Sequence, residues 1–472
     1  MVFTKKTFPL FFLLIINIFL LFNYFIKIQS KNTLVNENSN KLSTEFKDFN
    51  KSYDIHLANR SIFNHTISEQ VKRNYMKNLL EYLEKWNKSL KCGKSVFQTY
   101  IQLLNYTHKM VVEEQWLPPF VNTERPIPLA STLNCSNEVN IHYFNGRRAN
   151  HTSAYIIDML VFGFELKILE MRLYELYDVV DEFLIFESNI TFKKLPKELF
   201  FHENKQRFQR FIDKITLVTP FSITRYNPDG KIKIFIEIDQ SDINDNFKNT
   251  NINFSDQQDF LKPDFTIEKI ARMLPIKYYQ KYIRKFDSNN DIFIAGDVDE
   301  IPDSNFVNHF KHCEVKRDLY PFSISSTFFI YSFNYLFKSD FPAPDDMYSF
   351  IFPNILTIDE ILKNSFTRIH QTTLLPQATG CHLNRMLATF VISIYKDISQ
   401  SDGLFATENY LEVFNNPTIE GYNKFKENYV KGRIQERWVH KVRSLTSFNG
   451  NHKIFLPWIV QENKEIYKDF FE

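Results

Sequence analysis

The chain has 472 residues, of which 44% are hydrophobic and 16% aromatic. This composition excludes a disordered or collagen-like protein and allows a large hydrophobic core. The 57 Lys and Arg residues almost balance the 55 Asp and Glu residues, so that the formal net charge is only +2. A protein that coats nucleic acid or an anionic membrane carries a larger positive charge, and we therefore expect no nucleic-acid partner.

The N-terminal residues predict membrane anchoring. A short basic segment, residues 1–7, precedes an apolar segment, residues 8–28. A helix of about 20 apolar residues is long enough to cross the hydrocarbon core of a membrane. The residues that follow lack the small side chains of a signal-peptidase site, which favours an uncleaved signal anchor over a cleaved signal peptide. Both interpretations place the remaining chain outside the cytosol, and the first predicts a single-pass type II protein.

Location outside the cytosol changes the meaning of the four cysteines, which are at positions 92, 135, 313 and 381. In an oxidising compartment they can form up to two disulfides, in three alternative pairings between which the sequence does not decide. Their spacing does not correspond to a zinc-binding motif.

Two segments precede the predicted globular domain. Residues 29–65 are rich in Asn, Lys and Ser, as expected for a solvated stem. Residues 66–150 begin with apolar side chains at every fourth position, which predicts a helix, and then contain several prolines, which predict a linker. We interpret residues 66–150 as a helical accessory region and linker.

Residues 151–472 show strand and helix patterns in alternation. This alternation predicts an α/β domain with a mostly parallel central sheet that helices cover on both faces. The predicted strands cover residues 154–161, 183–186, 215–218 and 292–295, and the predicted helices cover residues 165–177 and 267–286.

An acidic motif follows the strand predicted at residues 292–295. Side chains two positions apart share a face, so Asp297 and Asp299 can converge on one cation at the carboxyl edge of the sheet. Two hard oxygen donors suit Mg²⁺ or Mn²⁺, and such an ion can neutralise a diphosphate leaving group. The alternative is an acidic turn in which Asp299 or Glu300 only caps the next helix.

Two other acidic motifs fit less well. A calcium-binding helix-loop-helix that begins at Asp287 requires Gly and Glu at its sixth and twelfth positions, which are Ile292 and Val298 here. A phosphatase with an aspartyl-phosphate intermediate usually has Thr or Val at the position of Ile301, and its motif begins the α/β domain instead of following much of it.

Five segments of the C-terminal part resemble glycosyltransferase family 17. The resemblance covers about residues 153–470, and its first two segments together are the most specific. The matching segments are residues 158–181, residues 185–192 with Pro196 and Lys197, the acidic motif 297–302, Gly380–His382, and Lys396 with residues 399–403.

The chain departs from the family pattern at three places. Cys381 stands where the family has Trp, residues 383–386 replace a short cysteine-containing stretch, and residues 193–195 replace a small glycine. These positions would contact the donor or acceptor sugar. The fold and the reaction class are therefore better supported than the particular acceptor.

The resemblance implies a GT-A-like, Rossmann-type nucleotide-sugar domain behind a Golgi signal anchor. It also implies a metal-dependent, inverting transfer of N-acetylglucosamine from UDP-N-acetylglucosamine, in β-1,4 linkage, to the core mannose of glycoprotein N-glycans. The divalent ion would be Mn²⁺ or Mg²⁺, held by Asp297 and Asp299 with His382 as a further metal or diphosphate contact. The alternative for His382 is a structural histidine.

The resemblance also suggests contacts to the nucleotide. Glu187 and Asn189 would accept hydrogen bonds from uracil or ribose, against a capping role for the carboxylate. Arg272 and Lys197 would reach the pyrophosphate, because guanidinium and ammonium groups bind phosphate oxygens. Asp297 would also contact the ribose.

Inversion requires a carboxylate that deprotonates the acceptor hydroxyl, and the candidates are Glu300 and Asp402. Glu165, Glu170 and Arg172 are family positions on the first helix, with a salt-bridged helix face as the alternative. The other class of function is a non-catalytic glycan-binding or scaffold protein on a GT-A-like fold. A transferase with a different donor or acceptor is a further alternative.

Overall fold

The computed structural model describes most of the C-terminal part of the chain. The predicted tail, anchor and stem, most of residues 66–150, and Asp402 lie outside the described residues. No helix within the described part is long and apolar enough to cross a membrane. The described residues are 108, 111, 112, 115, 132–192, 197–239, 265–330, 332–339, 348–363, 369–384 except 371 and 377, 386, 395, 396, 399, 439–441 and 454–471.

Short strands dominate the described chain, and six α-helices and several 3-10 turns lie between them. The strands are β1 Phe144–Arg147, β2 Tyr155–Phe162, β3 Glu182–Glu187, β4 Ile215–Val218, β5 Ser222–Tyr226, β6 Ile232–Glu237, β7 Asp291–Asp297, β8 Glu300–Pro302, β9 Cys313–Val315, β10 Phe322–Ser323, β11 Ser326–Ile330, β12 Ser332–Phe337, β13 Ser349–Phe350, β14 Asn354–Leu356, β15 Thr373–Leu374, β16 Gly380–Asn384 and β17 Val439–Lys441. The helices are α1 Leu166–Leu176, α2 Phe200–Asn204, α3 Phe265–Tyr282, α4 Ser304–His312, α5 Ile358–Lys363 and α6 Trp458–Glu462.

The largest sheet has nine strands in the order β15-β10-β14-β7-β2-β3-β4-β5-β6. Its centre, from β7 to β4, is parallel, as the apolar runs predict. The prediction of a mostly parallel sheet is wrong for the whole, because four of the eight strand pairings are antiparallel. The strands outside the centre are short or only half-buried, and their sequences lack the long apolar runs of a fully covered strand.

Both faces of the central strands are covered, which confirms the predicted layering. Alternate side chains of β2 point to opposite faces of the sheet. Ile156 and Leu160 belong to the apolar cluster that includes Leu169 of α1. Met159 belongs to a second cluster that includes Leu274 of α3. The core of this part of the chain therefore lies in two layers, one on each side of β2.

A second sheet, which the sequence analysis does not predict, adjoins the acidic motif. It has the order β17-β12-β11-β16-β8, and β13 pairs with β11. β8 begins at Glu300, directly after the motif, and pairs antiparallel with β16 so that His382 lies opposite Glu300. The acidic motif is thus the junction between the two sheets.

Cys135 and Cys313 form a disulfide, with 5.7 Å between their Cα atoms. The bond ties the segment before β1 to β9, which pairs with β1. Cys381 is buried without a disulfide, and burial raises the pKa of its thiol. Cys92 lies outside the described residues. The bond between Cys135 and Cys313 belongs to one of the three pairings that the sequence allows, and the second bond of that pairing would join Cys92 to Cys381.

Candidate active site

The acidic motif forms a tight turn, and Arg172 donates hydrogen bonds to its backbone from the buried side. Arg172 lies on α1 and is completely buried. Its Nε and Nη2 atoms donate to the carboxylate of Asp158 on β2, at 2.7 and 2.6 Å. Its Nη1 atom donates to the backbone carbonyl of Asp297 at 2.9 Å and to that of Glu300. The side chain therefore links α1, β2 and both ends of the turn.

The charge of Arg172 is stable despite its burial. Burial alone lowers the pKa of the guanidinium, but the carboxylates of Asp158, Glu300 and Asp299 together raise it above the ordinary value. The alternative role, a salt bridge on the surface of α1, applies to Glu170, whose carboxylate lies 2.6 Å from Arg207. It does not describe Arg172, which is a buried anchor of the turn.

The side chain of Glu300 bonds the backbone at the start of the same turn. Its Oε2 atom accepts the backbone N–H of Asp297 at 2.9 Å, and its side chain is fully buried. This position requires glycine at 296, because a Cβ atom there would lie 2.5 Å from the same oxygen. The carboxylate of Glu300 is therefore part of the turn, and its role as general base stays a prediction.

The capping alternative for the motif is wrong. Helix α4 begins at Ser304, and its N-cap is Asp303, whose side chain accepts the N–H of Asn305 at 2.9 Å. Neither Asp299 nor Glu300 caps this helix. The carboxylates of the motif are therefore available for another role or for the turn itself.

Asp297 is the most accessible of the three carboxylates of the turn. Its side chain is 31% exposed, and Oδ1 lies 2.7 Å from Nη2 of Arg272. Arg272 also bonds Glu268, at 2.8 Å. Burial opposes the charge of Arg272, but the two carboxylates outweigh it and raise the pKa of the guanidinium. Arg272 therefore lies at the predicted site, bound to the acidic turn.

Asp299 faces two basic side chains from elsewhere in the chain. Its Oδ2 atom lies 3.6 Å from Nε2 of His382 and 3.7 Å from Nζ of Lys396. Burial opposes the ionisation of Asp299, but these two partners outweigh it and lower the pKa of the carboxyl group. Nζ of Lys396 also lies 3.7 Å from Oε1 of Glu165, which precedes the first residue of α1. An ionised Asp299 thus faces an imidazole and an ammonium group, both beyond hydrogen-bonding distance.

Aromatic rings fix the orientation of His382. The imidazole stacks on Phe328, with 4.5 Å between ring centroids and 13° between planes, and contacts Phe350 at 4.4 Å. Its Nδ1 atom is buried and has no hydrogen-bond partner among the described residues. The stacked ring presents Nε2 toward Asp299.

Glu187 is a helix cap. It is completely buried at the end of β3, and its two oxygens accept the N–H groups of Phe201 and His202 in the first turn of α2, at 2.9 and 3.4 Å. Burial raises the pKa of Glu187 to about 7, although Lys197 and both N–H groups lower it. The capping alternative is thus the role that the structure shows, in place of the predicted nucleotide contact.

Lys197 forms hydrogen bonds to the backbone just after the end of β2. Its Nζ donates to the carbonyl of Gly163 at 3.1 Å and to that of Glu198 at 3.2 Å, and lies 3.9 Å from Glu187. Burial lowers the pKa of the ammonium, although nearby carboxylates raise it. Asn189 is half-buried, and its backbone carbonyl accepts the N–H of Lys197 at 2.9 Å. In this structure Lys197 contacts the backbone and Glu187, and its contact with the pyrophosphate stays a prediction.

The strand order places the acidic turn where ligands bind in open α/β sheets. The chain passes from β2 through β3 to β4 on one side and returns to β7 on the other side of β2. Ligands bind outside the carboxyl ends of the strands at such a reversal of strand order. Glu165 follows β2 and Asp297 ends β7, and Val161 lies opposite Asp297 in the parallel register.

Comparison with known proteins finds a family model that matches part of the chain. Residues 96–231 match the model of Glycosyltransferase family 17. Over these residues the chain resembles glycosyltransferase family 17. The match includes Asp158, Arg172 and the strands from β1 to β5, and it ends before the acidic turn. No curated protein and no solved structure matches the chain.

The protein is therefore a glycosyltransferase, and its family implies a nucleotide-sugar donor and a glycan acceptor. The described residues contain no group of three or more His, Cys, Asp or Glu side chains that would hold a metal ion alone. Asp297 is bound to Arg272 and Asp299 faces His382, and the convergence of the two aspartates on one cation stays a prediction.

A divalent cation shared with a substrate still fits this transferase. Asp299 offers a carboxylate and His382 an imidazole, 3.6 Å apart, which is too long for a hydrogen bond. Both groups are ligands of Mn²⁺ and related ions. Further ligands would have to come from the phosphates of the donor, which suits an ion that binds together with its substrate.

Asp158 is a residue of this site that the sequence did not single out, because it reads as an interruption of an apolar strand. Glu165 and Arg172 were predicted only as family positions on the first helix, with a salt-bridged helix face as the alternative. The signal for the pair of Asp158 and Arg172 is a carboxylate inside a buried strand, because such a group requires a buried cationic partner.

Proposed function

We propose that the protein is an inverting transferase that moves N-acetylglucosamine from UDP-N-acetylglucosamine to a mannose of N-glycans in β-1,4 linkage. The resemblance of residues 158–181, 185–192 and 297–302 to family 17 supports the donor and the linkage. The observation that carries the proposal is the acidic turn between the carboxyl ends of β7 and β2. The β2-α1-β3 unit with its parallel neighbours supports a GT-A-like, Rossmann-type donor domain.

The residues of the turn have separate roles in this proposal. Ionised Asp299 and His382 would hold a divalent cation, and Asp297 would contact the donor from the exposed side. The cation, when bound, neutralises charge that develops on the departing diphosphate. Lys396 adds a second positive charge on the same side of Asp299.

In the transfer, one bond to the anomeric carbon forms and one breaks. The acceptor hydroxyl oxygen bonds the anomeric carbon of the sugar while the bond from that carbon to the diphosphate oxygen breaks. The hydroxyl proton passes to a carboxylate, and UDP leaves with the bonding electron pair. Asp402, outside the described residues, and Glu300, buried within the turn, remain the candidates for this base.

We also propose that the enzyme is a type II protein of the Golgi membrane with its catalytic domain in the lumen. The apolar segment at residues 8–28 supports a signal anchor. The disulfide between Cys135 and Cys313 supports an oxidising compartment.

The alternative of a non-catalytic glycan-binding or scaffold protein rests mainly on Cys381, which departs from the family pattern. Cys381 is completely buried and belongs to the main apolar cluster. The substitution therefore changes the packing below the site and leaves the carboxylates of the acidic turn in place.

The proposal is tested by UDP release from the purified full chain in detergent. UDP-N-acetylglucosamine, other UDP-sugars and N-glycan acceptors are compared with and without Mn²⁺ or Mg²⁺. We expect metal-dependent turnover that Asp299→Asn lowers by about 100-fold or more, and that Asp359→Asn, an exposed carboxylate of α5, leaves unchanged. No turnover with any UDP-sugar, together with unchanged glycan binding by Asp299→Asn, would favour the non-catalytic alternative.

A further inference from the structure

The strand β6 forms an edge of the nine-stranded sheet. Within the part of the chain that the structure describes, β6 pairs with β5 alone. Its outer side therefore presents backbone N–H and C=O groups that can pair with another strand. Edge strands of monomeric proteins are usually protected against such pairing.

The surface around this edge is unusually apolar. Phe235 is 60% exposed, Ile232 is 53% exposed, and Phe221, beside the end of β6, is 48% exposed. These are three of the six large hydrophobic side chains that are exposed among the described residues. Ile232 and Phe235 lie on opposite faces of β6, so exposed apolar side chains border this edge on both faces of the sheet.

The charges on β6 are arranged symmetrically about Phe235. Lys233 and Glu237 flank it two positions away on either side, and all three side chains are exposed on one face. Neither Lys233 nor Glu237 forms an ion pair with any described residue. If a second copy of β6 runs antiparallel to the first, Lys233 of each strand therefore lies opposite Glu237 of the other.

In that antiparallel register, every opposite pair is favourable. Phe235 of one copy lies opposite Phe235 of the other, and Lys233 of each lies opposite Glu237 of its partner. The half-buried Ile234 lies opposite Ile236. Opposite charges and apolar pairs directly across a strand pair are stabilising, and like charges there are destabilising. A shift by one residue would place the core-facing isoleucines opposite the solvent-facing side chains.

We propose that two copies of this chain form a homodimer by antiparallel pairing of their β6 strands about Phe235. The pairing joins the two nine-stranded sheets into one, with a two-fold axis at the centre of β6. Such an interface is isologous, because the same surface of each subunit forms both halves. It lies at the opposite edge of the sheet order from β15 and β10, and β3, β4 and β5 separate it from the acidic turn beside β2.

Charge reversal separates this dimer from any other association. The variants Lys233→Glu and Glu237→Lys each place like charges opposite one another twice in a homodimer. A mixture of the two variants, or the double variant Lys233→Glu/Glu237→Lys, restores opposite charges at both positions. Lys363→Glu, an exposed lysine of α5, is the matched control.

The experiment measures the mass of the full chain in detergent by light scattering after size exclusion. We expect a dimer for wild type, Lys363→Glu and the double variant, and half that protein mass for each single variant. Mixing the two single variants, with different tags, should restore a dimer that contains both. A monomeric wild type, or single variants that remain dimeric, would overturn the proposal. Transferase activity is measured in parallel, so that loss of folding is distinguished from loss of pairing.

Discussion

The buried contact between Arg172 and Asp158 offers the sharpest perturbation, because it affects folding and the acidic turn separately. Arg172→Leu leaves the carboxylate of Asp158 buried without its partner. Breaking a buried ion pair by removing one member costs about 3–5 kcal/mol. Over roughly 320 residues, at about 2.1 cal/mol/K per residue, this loss lowers the melting temperature by roughly 4–8 °C.

The double variant Arg172→Leu/Asp158→Leu separates the two roles of the arginine. Replacing a whole buried ion pair with apolar side chains is often neutral for stability, so we expect most of the melting temperature to return. The carbonyl groups of Asp297 and Glu300 still lack their donor. A displaced turn can lower turnover by about 100-fold, so activity should stay low.

The assays are thermal unfolding of the full chain in detergent and initial rates of UDP release. Arg207→Leu is the control, since it removes another arginine that is paired with a carboxylate of α1, namely Glu170, away from the turn. Recovery of both stability and activity in the double variant would refute the argument that Arg172 shapes the turn. A melting temperature of Arg172→Leu equal to wild type would refute the energetic part.

Three further predictions concern the same region. Lys396→Met removes a positive charge that lowers the pKa of Asp299, so the acidic limb of the activity profile should move to higher pH than in wild type. Glu187 has a folded pKa of about 7, above its unfolded value, so folding stability should fall between about pH 4.3 and 7 as the unfolded state ionises first. Thermal melts across this range should show a smaller decline in Glu187→Gln than in wild type, and an unchanged slope would contradict the assignment. Gly296→Ala forces a Cβ against Glu300 and should lower the free energy of unfolding by about 1–3 kcal/mol, measured by denaturant titration, together with activity.

The sequence was sufficient for the centre of the sheet. Apolar runs of four to eight residues between helical segments have few other interpretations, and the predicted strands at 183–186, 215–218 and 292–295 lie within β3, β4 and β7. The acidic motif was located correctly at a carboxyl edge, because the direction of a strand in a parallel unit fixes where its last residue lies.

Contacts between distant segments could not be predicted. Arg172 bonds a carbonyl 125 residues later in the chain, and no local pattern records that contact. His382 reaches Asp299 only because β16 pairs with β8 in a second sheet. Glu187 presented a genuine ambiguity, since a carboxylate after a buried strand is equally suited to a ligand or to the following helix. The burial of the group decides between them.

In the proposed enzyme the donor nucleotide binds where β2 and β7 end. Photo-crosslinking of the full chain with a UDP analogue carrying a photoreactive base, followed by mass spectrometry of the peptides, tests it directly. We expect competition by UDP-N-acetylglucosamine and labelled peptides that contain residues 163–165 or 297–300. Competed labelling confined to peptides remote from both strand ends, such as those of β5 and β6, would contradict it.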